Sequence, residues 1–225
     1  LMNTERASDE ARSEFLRSSD SWFRPAAIRT GPDGAMYVAD LYRLVIEHPE
    51  WIDDTLEKEM IADGRLRAGH DKGRIYKIFP DSVKLHKKAN LAGKGPQALA
   101  KLMDSPNGWQ RDTAHMMLTW LDKEEQKKAI PNLHQVLNSQ FPAARAQALS
   151  ALNDLDSLWP KAMQKGLEDK HPGVRRNALR VGGVLLNQNS ELGQMVVTLL
   201  DDEDAHVQRR AAYALGYWDD PTAGQ

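Results

Sequence analysis

Cysteine is absent from this 225-residue chain. That excludes disulfides, thiolate metal sites, a cysteine nucleophile and a c-type haem attachment motif within these residues, and it leaves the compartment open. Long apolar runs are missing too. "MVVTLL", residues 195–200, is about the longest, far short of the roughly 18 residues that span a bilayer, so no transmembrane segment is predicted. The N-terminal "LMNTERASDEARSEF" is too polar for a signal peptide. An excess of one charge is lacking as well. Thirty Lys and Arg face thirty-two Asp and Glu, a formal net charge of −2, which gives no ground for a nucleic-acid or anionic-membrane partner. No Gly-x-Gly-x-x-Gly, Walker loop or nucleophile elbow occurs. The seven histidines (48, 70, 86, 115, 134, 171 and 206) include no pair at a three- or four-residue spacing, so no metal site is predicted. What is present is an ordinary core-forming composition, 41% hydrophobic and 28% charged. Both ends are abrupt, and the chain reads as an excerpt of a longer protein.

The second half repeats itself. "SPNGWQRDTAHMML" (105–118), "QFPAARAQALSAL" (140–152), "KHPGVRRNALRVG" (170–182) and "EDAHVQRRAAYAL" (203–215) lie in register. Taking Trp109, Ala144, Val174 and Val207 as equivalent gives spacings of 35, 30 and 33 residues, a period that marks a solenoid of stacked helix pairs. Each segment follows an amphipathic stretch such as "AIPNLHQVLN" or "LWPKAMQKGLED", and Pro131 and Pro160 suit the first turn of such helices. The predicted class is mainly α: a solenoid over 95–225 with repeats at about 95–121, 124–153, 156–187 and 190–218, preceded by a small β-segment. Val207-Gln208-Arg209-Arg210-Ala211-Ala212 and Val174-Arg175-Arg176-Asn177-Ala178 resemble short HEAT repeats of the lyase-associated kind. The first two repeats depart from that pattern, with Trp109 and Ala144 where Val is usual.

Arg111, Arg145, Arg176 and Arg209 recur in the second helix of each repeat. They could track phosphates, or pair with Asp104, Asp169, Asp202 or Asp204 in the turns as a ladder between repeats. Over residues 96–218 seven Lys and seven Arg balance nine Asp and five Glu, which favours the ladder and speaks against nucleic acid. Ala148, Ala178, Ala211 and Ala212 read as close-packing positions. Gly182 and Gly183 weaken the third second-helix and have no functional explanation in the sequence.

The first eighty residues are different. "AAIRT" and "AMYVADL" flank "GPDG", which is hairpin chemistry, and "GRIYKIF" (73–79) alternates as a third strand. A charged insertion, residues 42–72, separates the second strand from the third. Three such strands do not make a stable domain alone, but they do make one blade of a propeller. Residues 81–94 form a linker with Lys84, Lys87, Lys88 and Lys94, either a contact for an anionic partner or, more simply, a solvated connector.

"WFRPAAIRTGPDGAMYVADLYRLVIEHPEW" (22–51), followed by "RAGHDKGRIYKI" (67–78), resembles the last propeller blade of a group of large membrane-bound dehydrogenases common in planctomycetes. In those proteins a propeller similar to quinoprotein sugar dehydrogenases precedes HEAT-like repeats and often a c-type haem domain. The resemblance implies an extracytoplasmic parent, periplasmic or membrane-associated, that oxidises a sugar or alcohol with pyrroloquinoline quinone and Ca²⁺ and passes electrons to haem. No cofactor is implied within this excerpt, which would be a scaffold without catalysis of its own. The residues that could reach a central cavity are Arg24, Asp40, Tyr42, Arg43, Glu47 and His48: an Arg to clamp a carboxylate, Glu or His to move a proton or bind Ca²⁺. Each also has a plain structural reading. Asp40 could bond N–H groups within its own blade, and Glu47-His48-Pro49 could fold the insertion back. A non-enzymatic module that binds protein or glycan along the repeats, and a standalone solenoid capped by residues 22–79, stay open beside the dehydrogenase reading.

Overall fold

Ile, Tyr and Val alternate with small or charged residues on both sides of Gly31-Pro32-Asp33-Gly34, and there the sheet forms. A computed structural model describes residues 6–46 and 48–224. Two compact units divide the chain: Leu1–Gly31 with Ala35–Lys84, and Pro32–Gly34 with Leu85–Gln225.

In the first unit β1 (Pro25–Thr30), β2 (Met36–Asp40) and β3 (Arg74–Ile78) form an antiparallel sheet in that order. The hairpin closes where Gly31 N donates to the Ala35 carbonyl at 2.8 Å. The register sets Ile28 opposite Val38 and Val38 opposite Tyr76, so the three share a face. Val38 is fully buried, yet Ile28 is 51% exposed, and Ile75 on the other face is 75% exposed. The insertion carries helix α1 (Asp54–Ala62), whose N-terminal N–H groups are capped by the Asp53 carboxylate. Residues 8–10 make a single 3₁₀ turn. The apolar core described in this unit is small: Ala35, Val38 and Met60.

The second unit makes the chain mainly α. Its helices are α2 (Pro96–Leu102), α3 (Gly108–Thr119), α4 (Lys123–Val136), α5 (Pro142–Asp154), α6 (Pro160–Leu167), α7 (Pro172–Gly182), α8 (Ser190–Thr198) and α9 (Ala205–Leu215). Four start on proline, which loses nothing where the N–H has no intrahelical partner. The others start after Asn107, Asp122, Asn189 or Asp204, whose side chains accept from the first free N–H groups. Successive second helices α3, α5, α7 and α9 pack in series, and each packs on the first helix of its own pair. One continuous core runs from Leu91 to Trp218 through Leu99, Leu118, Leu149, Met163 and Val196.

Three local expectations change. Pro131 lies inside α4, not in a first turn; it is solvent-exposed, so the carbonyl it leaves unbonded is reached by water. Trp109 is not the counterpart of Ala144: the side chains described below put Gln110 there, with a spacing of 34. Gly182 is a packing position. A Cβ would sit 2.2 Å from Met163 Sδ, just as one at Gly193 would meet the Trp218 ring at 2.3 Å.

Candidate functional site

Two of the residues singled out in the first unit, Asp40 and Arg24, hold its backbone together. Asp40 is 2% exposed. Its Oδ1 accepts from the N–H groups of Arg24 (2.7 Å) and Tyr42 (2.9 Å), and its Oδ2 from the Tyr76 hydroxyl (3.4 Å). One carboxylate therefore ties the entry to β1, the end of β2 and the middle of β3. The Arg24 guanidinium donates to the carbonyls of Ser21, Phe23 and Leu44 at 2.5, 3.0 and 3.4 Å. Tyr42 is held at a left-handed φ of 51°. Arg74 lies 3.4 Å over its ring and Trp22 is 5.5 Å away, contacts that offset the backbone strain. Gly69, at φ 87°, lets the insertion approach: a Cβ there would fall 2.1 Å from the Tyr42 carbonyl oxygen.

Arg43 has a buried Nε without a hydrogen-bond partner among the described residues. It borders a depression of 530 Å³ with Asp40, Val45, Ile46, Leu66 and Arg67. Arg24 and His48 do not line it. His48 is exposed, 3.9 Å from the Glu50 carboxylate, and Glu47 lies outside the described residues. Among the described residues no group of three His, Asp or Glu could hold a metal ion. Asp40 and Arg24 are already bonded to backbone, and Arg43 keeps an unbonded Nε among the described residues. No catalytic step is assigned to these residues.

In the repeats one interaction recurs. Arg111 donates to the Ser105 carbonyl, Arg145 to that of Ser139, Arg175 to that of Asp169 and Gln208 to that of Asp202, each six residues back and at 2.8, 2.8, 2.9 and 2.6 Å. Two of these arginines also reach the next repeat. Arg145 makes a two-pronged ion pair with Asp169 at 2.6 and 2.7 Å, and Arg175 one with Asp202 at 2.7 Å for both prongs. The ladder is thus real, but it runs through Arg145 and Arg175, not through Arg176 or Arg209. The legible signal was the residue immediately after the buried Ala144, Val174 and Val207; following the second residue instead shifts the register by one. In the first repeat the rung lacks its acid, because Ser139 stands at the Asp169 position and donates to Asp104 at 2.5 Å. Burial would raise the Asp169 and Asp202 carboxyls, but the bonds from Arg145 and Arg175 and from the N–H groups of His171 and Asp204 outweigh it and hold both below the ordinary carboxylate range.

The exposed side of the second helices follows no such rule. Equivalent positions carry Asp112, Ala146, Arg176 and Arg209; Met116, Ser150, Arg180 and Tyr213; Trp120, Asp154, Val184 and Tyr217. Four of these side chains, Ala146, Ser150, Asp154 and Arg180, border an open polar groove of 460 Å³ with Arg111, His115, Gln147 and Asn177. Gln147 Nε2 stands 3.1 Å from His115 Nδ1 and Asp154 Oδ2 is 3.2 Å from His115 Nε2. Donation by Gln147 leaves the imidazole proton on Nε2, facing Asp154. Burial lowers the His115 pKa, although Asp154 and Asp112 pull it upward.

Comparison with known proteins adds little to this geometry. Residues 1–82 match a family described as a domain of unknown function (DUF7133), a span that stops short of the helix pairs. No curated protein matches the chain. Among solved structures, the crystal structure of an engineered protein aligns with a TM-score of 0.38 and 19% identity over 54% of this chain and 61% of that one. The chain therefore spans less than two thirds of that protein's length.

Proposed function

We propose that the helical unit is an interaction scaffold that presents the exposed side of its second helices to a protein partner. The observation that carries this reading is the contrast between two edges of the same helices. The edge facing the turns repeats one hydrogen-bonding scheme four times. The exposed side, free of that constraint, differs in chemistry from repeat to repeat, as a recognition surface does and a packing surface does not. The sheet unit fits the same account. Ile28 and Ile75 leave apolar area on both faces of the sheet, which supports its placement beside further β-structure, as in the terminal blade of a quinoprotein-dehydrogenase-like propeller. On this reading the parent would work outside the cytoplasm, with the repeats joining the propeller to an electron acceptor, and its quinone and Ca²⁺ would be held by residues other than those described here.

A photo-crosslinking residue introduced into the full chain tests the scaffold reading. Placed at Ser150 or Met116 it should capture the partner; placed at Gln164 or Gln194, exposed on first helices, it should not. Capture from the first helices alone would overturn the assignment. For the parent polypeptide, quinone-dependent dye reduction with a sugar or alcohol supports the dehydrogenase context, and its absence removes that context.

A further inference from the structure

The ladder register leaves a residue of charge unaccounted for. Neither α7 nor α9 contains an acidic residue. Arg175 is paired with Asp202 and Glu203, but Arg176 and Arg209, at equivalent positions on these two packed helices, make no ion pair among the described residues. Both are exposed. Arg180, one turn further along α7, is exposed and has no acid either: its Nε donates to Asn177 Oδ1 and its Nη2 to Ser150 Oγ, both at 3.0 Å. Those bonds fix the guanidinium plane and leave Nη1 without a bond among the described residues. Arg210 adds a fourth cation beside them. Like charges on neighbouring helices repel, a cost that an anionic partner would remove.

The apolar residues among these cations set the class of partner. The row Arg176, Arg180, Val184 runs beside the row Arg209, Tyr213, Tyr217, and Val184, Tyr213 and Tyr217 are 62%, 64% and 63% exposed. Tyr217 is held in place. Asn187 donates to its carbonyl at 2.8 Å, and Gly183 leaves room for its ring, whose Cδ2 is 3.2 Å from where a Cβ would stand. Arg and Tyr are the side chains that most often dominate protein–protein affinity. The positive surface is also short. In the equivalent positions of the first two repeats stand Asp112, Ala146 and Asp154, so the field reverses within two repeats instead of extending along a polyanion.

Building on the scaffold reading, we infer that the face formed by Arg176, Arg180 and Val184 beside Arg209, Tyr213 and Tyr217 docks an acidic protein segment that carries an apolar side chain. The test uses the full chain and a fluorescein-labelled peptide in which Glu and Asp alternate with Leu and one Phe, followed by anisotropy. Affinity should fall at least about tenfold in the double variant Arg176→Gln, Arg209→Gln, fall further with Tyr213→Ala, and weaken as salt rises from ~50 to ~300 mM. Lys161→Gln, an exposed change on α6, should leave it unchanged. Three results overturn the proposal: equal binding of a Ser-for-Glu peptide, no effect of the double variant, or tighter arginine-dependent binding of heparin or anionic vesicles. If crosslinks from Met116 or Ser150 still capture a partner while the acidic peptide fails, the scaffold reading survives and this docking assignment falls.

Discussion

The two units of this chain are stabilised by opposite means. The helical unit buries a continuous apolar core that each repeat shares with the next, so the polar groups at its turns only set register. The sheet unit buries Ala35, Val38 and Met60 and depends on polar contacts: the Asp40 carboxylate across three strands, the Arg24 carbonyl bonds, the Arg74–Tyr42 stack and the Gly69 contact. A charged residue means something different in each. In the sheet unit Asp40 and Arg24, which looked chemical, are the framework. In the helical unit the framework takes Arg111, Arg145, Arg175 and Gln208, and on the proposed reading the residues beside Arg175 and Gln208, Arg176 and Arg209, serve a partner.

The largest expected effect breaks the ladder. Arg145→Ala leaves Asp169 buried without its cation and should cost about 3–5 kcal/mol. Arg111→Ala should cost about 1 kcal/mol, because that rung bonds a carbonyl and has no acid. Urea unfolding followed by helical circular dichroism separates the two.

Next come the close approaches. Gly193→Ala pushes a methyl into the Trp218 ring and should destabilise the helices by about 1–3 kcal/mol. Gly69→Ala meets both a left-handed φ and the Tyr42 carbonyl. It should loosen the sheet unit, read as faster amide exchange at Tyr42 and Arg43, while the helical transition stays in place. Simultaneous loss of both transitions would show that the division of labour drawn here is wrong.

Acid should reach the helical unit through the rungs. The folded-state pKa values of Asp169 and Asp202 are depressed, so their contribution is complete above the ordinary carboxylate value of about 4 and is lost as pH falls through the lower folded values. The depressed His115 pKa acts in the same direction but earlier, removing stability as pH drops below about 6.5. The Arg145→Ala variant should show a shallower acid limb in a pH series of unfolding midpoints. The smallest effect is expected from Ile75→Thr. Being exposed, it should change stability by less than about 0.5 kcal/mol, yet reduce binding of an apolar dye to the sheet.

Much of the helical unit was legible in the sequence because a repeat is its own comparison. Proline starts and Asn or Asp caps mark the helix entries, and buried Ala148, Ala178 and Ala211 mark the seams, whereas Ala212, read in the same way, is exposed. Pro131 misled because proline signals a first turn but is tolerated inside a helix on a wet face. The ladder was visible as a pattern, with Arg145 placed correctly, but was misplaced by one residue in the last two repeats: Arg175-Arg176 is a doublet whose inward member composition cannot name, and in the fourth repeat a glutamine, Gln208, holds the rung. The hairpin followed from alternation around Gly31–Gly34, and the third strand from that of residues 73–79; that it pairs with β2 did not. The plain reading of Asp40, bonding N–H groups within its own blade, is what the structure has; the role of Arg24 did not follow, because an arginine that bonds carbonyls looks the same in sequence as one poised to clamp a carboxylate.

The adjacent pair Arg175 and Arg176 tests the separation of framework and recognition most directly. Arg175→Gln keeps the carbonyl bond, as Gln208 does naturally, but loses Asp202. It should lower stability by about 3 kcal/mol and leave acidic-peptide affinity of the folded protein unchanged. Arg176→Gln should leave the unfolding midpoint where it is and weaken that affinity several-fold. If the two variants behave alike in both measurements, framework and recognition are not separate on these helices and the account is contradicted.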